Sequence, residues 1–180
     1  MGRREMDFGF ELRRIITGHN DKGRSIVTLD GPPGGQIGNL RDIWNSVGSD
    51  VDSLSSEDRG AMPVTLSPEP GGHKFRWFLV PPVDPSISEE EFAKIVKARF
   101  AAMGAEHEQP DTRRHPAMHK TETIDYIILL SGNVTLLLDE DERDLKPYDV
   151  VVQRGTNHAW VNKGMEPALL CAILIDADVR

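Results

Sequence analysis

Apolar and polar residues alternate most densely in the last third of the chain. His119 to Leu130 reads as a strand that leads into the turn Ser131-Gly132-Asn133. Val134 to Leu138 is a second strand, followed by the acidic turn Asp139 to Arg143. Asp149 to Gln153, Ala159 to Asn162 and the nearly all-apolar Ala168 to Ile175 continue the series. Short strands at this spacing, separated by turn residues, predict a sandwich or a barrel. The predicted fold class is all-β.

The chain before residue 110 is less regular. Arg13 to Thr17 and Ser25 to Leu29 flank Asn20-Asp21-Lys22-Gly23 and predict a hairpin. Leu40 to Val47 suits either a short helix or a strand. Phe75 to Val80 reads as a strand closed by Pro81-Pro82. One helix is well marked over 88–104. Ser88 and Glu91 have capping-box spacing, and Glu89 to Glu91 lie where the helix dipole favours anions. Phe92, Ile95, Val96, Phe100 and Met103 make its apolar stripe, and Gly104 stops it. The reading is an N-terminal extension, 1–110, with extra strands and one α-helix, packed on a barrel core, 111–180.

Composition narrows the function classes. The chain has 180 residues, enough for one domain with its own core. Its single cysteine, Cys171, excludes an internal disulfide framework and a Cys-rich zinc site. A formal charge of −8 argues against nucleic acid or an anionic membrane as the main partner. No apolar run reaches membrane-spanning length, and the basic start lacks the apolar region of a secretory signal. The expected protein is soluble and cytoplasmic.

Candidate chemistry sits in the strand-rich part. His119, Thr121, Asp125, Ile127 and Leu129 share parity, so one continuous strand would project them from one face. His158, Trp160 and Asn162 share parity in a later strand. Two imidazoles and a carboxylate converging inside a barrel suit Fe(II), Mn(II), Zn(II) or Ni(II), and three protein ligands leave open positions.

These residues resemble the cupins. His119, Asp125 and Gly132 fall on the first histidine, the glutamate and the closing glycine of that family's first motif. Gly155, His158 and Asn162 match the ending Gly-x-x-His-x-x-x-Asn of the second. Thr123-Ile124-Asp125-Tyr126 and the string Asp149 to Trp160 look like one subgroup of single-domain cupins. Thr121 stands where a second metal histidine is usual, Tyr148 replaces a glycine, and Arg154 replaces a proline. The resemblance implies a jelly-roll barrel with His119, Asp125 and His158 as ligands of a divalent metal (Fe, Mn, Zn or Ni). His115 and Thr121 are the candidates for proton transfer or for orienting a metal-bound water. Tyr126, Ile127, Leu129 and Trp160 are the expected substrate pocket. The implied function is a metal-dependent enzyme acting on a small organic substrate: a dioxygenase-type oxidoreductase, or a lyase, isomerase or decarboxylase. The alternative is a metal-free barrel that binds a small molecule as a sensor or carrier. A homodimer is the expected assembly.

Overall fold

The structure is a computed structural model and describes residues 11–48 and 54–178. In chain order the strands are β1 (Arg14–His19), β2 (Ser25–Gly31), β3 (Gln36–Ile37), β4 (Leu40–Ser46) and β5 (His73–Val80). Helix α1 (Glu89–Ala102) follows. Then come β6 (Thr123–Ser131), β7 (Val134–Leu138), β8 (Glu142–Leu145), β9 (Val150–Arg154), β10 (His158–Val161) and β11 (Ala168–Asp176). A six-stranded sheet in the order β3-β4-β5-β11-β6-β9 faces a three-stranded sheet, β10-β7-β8, and β1-β2 forms a separate hairpin. This is the all-β jelly-roll architecture the sequence predicts, with one helix.

The extension is woven into that wall. β5 pairs with β11 over eight residues, Val80 with Ala168 to His73 with Ile175, and β4 pairs with β5. The sequence division at residue 110 is therefore crossed by one continuous sheet. Leu40 to Ser46 is a strand, because pairing with β5 satisfies its backbone groups. A bulge between Asp42 and Trp44 produces the mixed spacing that also resembled a helix.

Alternation sets what lies inside. In β6, residues 123, 125, 127 and 129 are buried and 124, 126 and 128 are exposed. Leu129, Leu170, Val80, Ala168, Val134 and Leu145 make the apolar core between the two sheets, joined by Phe78 and Trp160. Gly132 closes β6 at φ 79°, and a Cβ there would lie 2.8 Å from the Ala168 Cα and the Pro167 carbonyl. Only glycine suits both constraints.

Helix α1 is capped as predicted: the Ser88 hydroxyl accepts from the Glu91 amide, and Gly104 follows at φ 68°. Phe92, Val96, Phe100 and Met103 pack with Leu66, Ala105 and Ala117. Ile95 stays outside this cluster and is exposed, so the apolar stripe is narrower than expected.

Candidate functional site

The chain enters β6 beside β10, and this crossing brings two histidines together. His119 and His158 form an antiparallel bridge in which each amide donates to the other's carbonyl at 2.9 Å. Their ring centroids lie 4.2 Å apart. Phe100 of α1 packs on His119 at 5.3 Å, and Trp160 meets His158 edge-on at 5.6 Å. The extension thus supplies one wall around the imidazoles.

Hydrogen bonds fix the chemistry of both rings. His119 Nδ1 lies 3.0 Å from the Ala117 carbonyl, and His158 Nδ1 lies 2.9 Å from the Thr156 carbonyl. A carbonyl only accepts, so each Nδ1 carries the proton. In the neutral rings each Nε2 then keeps its lone pair, free to accept a proton or to bind a metal. Burial lowers both pKa values, and for His158 the neighbouring His119 adds to it, down to about 3. Both rings are neutral at pH 7.

Asp125 is buried on the inner face of β6, level with Leu174 and Gln153. Its Oδ1 has no hydrogen-bond partner. Burial raises its pKa to about 6, against the pull of Thr123 and Arg76. Thr121 and Thr123 are buried beside it in sequence, and their hydroxyls share a hydrogen bond at 2.6 Å.

The expected metal triad is only partly assembled. Among the described residues, no group of three or more His, Cys, Asp or Glu side chains is arranged to hold a metal ion. The two imidazoles meet, but no third His, Cys, Asp or Glu joins them in such a group, and the Thr121 hydroxyl is bonded to Thr123. The donor set does not fit a three-ligand centre. His115 is held elsewhere: its Nδ1 accepts from the Ala117 amide, and its ring packs edge-on against Phe92. Ile127, Leu129 and Trp160, expected to line a substrate pocket, pack in or against the apolar core of the barrel. Tyr126 does not line the interior. It is 45% exposed on the outer face, because its parity is opposite to that of Asp125 and Ile127.

Sequence reasoning missed a set of interior charges that the extension delivers. Lys74 and Arg76 of β5 point inward with Asp42 of β4. Arg76 pairs with Asp42 at 2.9 Å and donates to the carbonyls of Leu66 and Thr65. Lys74 lies 3.7 Å from Asp42 and donates to Asn45 Oδ1. Near the Arg76 head, the Ser67 hydroxyl donates to the buried Glu108 carboxyl, whose pKa burial raises. The available signal was the alternation Lys74-Phe75-Arg76-Trp77. Ordinary burial preferences would turn its aromatics inward, and the structure does the reverse.

No family model matches the chain. It is 34% identical over 160 residues to phomopsin biosynthesis cluster protein C' of Diaporthe leptostromiformis, covering 85% of this chain and 73% of that one. It is 26% identical over 171 residues to the cupin-domain-containing oxidoreductase fogC of Aspergillus ruber, covering 92% of this chain and 72% of that one. The chain belongs to the cupins. Among solved structures, a cupin 2 conserved barrel domain protein from Salinispora arenicola is 20% identical, with a TM-score of 0.39, over 64% of this chain and 71% of that one. In this cupin the residues that match the second motif are positioned by the corner and by β10. Gly155 turns at φ 56°, His158 faces His119, and the Asn162 amide donates to the Val80 and Glu166 carbonyls.

Proposed function

We propose that this cupin is an oxidoreductase-type enzyme acting on a small organic molecule of a biosynthetic route. Relatives named cupin-domain-containing oxidoreductases, fogC, srdD and virC, support the reaction class. Relatives named for the phomopsin and oryzines biosynthesis clusters support the setting. The observation that carries the assignment of residues is the buried pair of neutral imidazoles with both Nδ1 atoms tied to carbonyls.

In this reading His119 and His158 stay neutral and present Nε2 lone pairs that accept a substrate hydrogen bond. Asp125, titrating near 6 with a free oxygen, is a separate proton donor or acceptor on the inner face of β6. The Thr121 and Thr123 hydroxyls orient polar substrate atoms. These side chains move protons and orient substrate, and the electrons of the redox step pass to a separate acceptor that they do not supply. Binding without turnover is the second reading, favoured by the incomplete ligand set.

Two measurements test this together. Wild type, His119→Ala and His158→Ala are incubated with a small-molecule extract of the source cells and compared by mass spectrometry. Metal content is measured on the same samples. The expected result is a compound altered by wild type, with or without chelator, and left at least about a hundredfold more slowly by either variant. A stoichiometric metal that disappears in His158→Ala would replace this reading with the metal-dependent one. A compound bound but unchanged would leave the carrier.

A further inference from the structure

Lys74 is a primary amine enclosed in the barrel without an anion of its own. It is 5% exposed and lies one residue inside the start of β5 at His73. Its Nζ donates to Asn45 Oδ1 at 3.2 Å and lies 3.7 Å from Asp42. Asp42 is already engaged: Arg76, on the same face two residues along, holds it at 2.9 Å. Two basic side chains thus share one close carboxylate. Asp125 stands two strand spacings away in the same row, about 10 Å, and Glu69 is exposed to water.

The weaker base gives way in such a cluster. A guanidinium keeps its proton in proteins, whereas a buried ammonium loses it readily. Burial lowers the Lys74 pKa, and the Arg76 charge lowers it further, against the pull of Asp42 and Glu69. A desolvated lysine beside another cation is the setting in which an amine becomes a nucleophile towards carbonyl carbon. Arg76 also leaves one donor idle. Its Nε–H is buried and has no hydrogen-bond partner among the described residues, while its Nη atoms are occupied by the Leu66 and Thr65 carbonyls and by Asp42. Residues two apart on one strand face are separated by roughly 7 Å. That span suits a carbonyl group, with its carbon at Nζ and its oxygen at Nε–H.

We propose that Lys74 is a covalent site for an uncharged aldehyde or ketone, which it holds as an imine. The Nζ lone pair adds to the carbonyl carbon, and one proton passes from nitrogen to oxygen to give a carbinolamine. The C–O bond then breaks, the oxygen leaves as water with a second proton from nitrogen, and a C=N bond remains. Nothing is oxidised or reduced. Arg76 Nε–H donates to the oxygen as it gains charge. The surrounding wall of Leu174, Ala172 and Ile127 is apolar and selects an uncharged body. This capture is independent of the imidazole pair and needs no turnover at His119 or His158.

Reductive trapping of the full chain tests this. The protein at pH 7 is mixed with propanal and sodium cyanoborohydride, which reduces an imine to a stable secondary amine. Peptide mass spectrometry then reads each lysine. Lys74 is expected to be alkylated at least about tenfold faster than the exposed Lys94 and Lys163. A lysine buried only as an ion-pair partner would react slowest, so Lys74 modified no faster than those two overturns the proposal. Asn45→Asp sets a carboxylate against Nζ and keeps it protonated. It is expected to slow the labelling of Lys74 at least about tenfold and to leave Lys163 unchanged. Unchanged labelling of Lys74 in this variant, with folding checked by circular dichroism, also overturns the proposal. If the variant does not fold, the wild-type rate against pH decides: labelling of Lys74 must level off at lower pH than labelling of Lys163.

Discussion

The two ends of the barrel interior are built from the same strands and hold opposite chemistry. Toward one end Leu40, Phe78, Leu170 and Leu129 stand side by side across the sheet, above Val80 and Ala168. Two residues along the same strands, the row becomes Asp42, Arg76, Ala172, Ile127 and Val151, and then Asn45, Lys74, Leu174, Asp125 and Gln153. The apolar end stabilises by burial and close packing, which need no particular partner for each atom. The polar end is stable only where every charge is paired, and it is not fully paired. Arg76 Nε, Glu108 Oε2 and Asp125 Oδ1 are buried without hydrogen bonds. The apolar end therefore stabilises the fold, while the polar end carries the cost of its unpaired buried groups.

The largest expected effect comes from breaking the interior ion pair. Arg76→Met leaves Asp42 fully buried with Lys74 at 3.7 Å as its one cation and the Asn45 amide at 3.4 Å, and should destabilise by about 3–5 kcal/mol. Leu170→Ala at the apolar end should cost about 3 kcal/mol by creating a cavity. The two ends separate in the double variant. Adding Asp42→Asn to Arg76→Met should recover part of the loss, because the orphaned charge is gone. Denaturant melts that show no recovery would mean that Arg76 acts by packing, as Leu170 does.

A smaller effect distinguishes a group kept for chemistry from one kept for stability. The folded pKa of Asp125 is raised from 3.8 to about 6. A raised carboxyl contributes its stability below the unfolded value and loses it as pH rises through the folded one. At pH 7 the buried charge therefore costs up to about 2–3 kcal/mol. Asp125→Asn should stabilise the protein at pH 7 and gain almost nothing at pH 4. Equal melting shifts at both values would remove the electrostatic explanation.

The smallest effect lies at the turn that pins the apolar end. Tyr148 sits at φ 77°, with its amide donating to the Leu129 carbonyl at 2.7 Å and its ring exposed. A left-handed backbone costs a side-chain-bearing residue about 1–2 kcal/mol. Tyr148→Gly should stabilise by up to about 1 kcal/mol, after the extra entropy glycine loses on folding. That raises the melting temperature by about 2–4 °C. No rise would place a compensating contact on the tyrosine ring.

Much of the strand plan was legible because the signals are local. Period-two alternation marked β6, and the turn residues around Gly132 and Gly155 marked the corners. The same parity argument placed Asp125, Ile127 and Leu129 on one face, and it should have excluded Tyr126. Leu40 to Val47 is ambiguous in sequence because a bulge breaks the alternation at Ile43, and a bulge depends on the partner strand. Arg76 lies in the predicted strand Phe75 to Val80 and Lys74 just before it, but alternation gives two faces without saying which one is inside.

The sequence by itself determined the barrel class, the capped helix, the order of the two motifs and the positions of His119 and His158 within them. Each of these depends on neighbours a few residues apart. Only the tertiary structure decided that β4 and β5 belong to the barrel wall, that Arg76 faces inward, and that the two imidazoles meet while Asp125 stays apart. Those outcomes depend on which distant strands share hydrogen bonds. One register step, or one corner between sheets, moves a side chain from water into the core or from one ligand set to another.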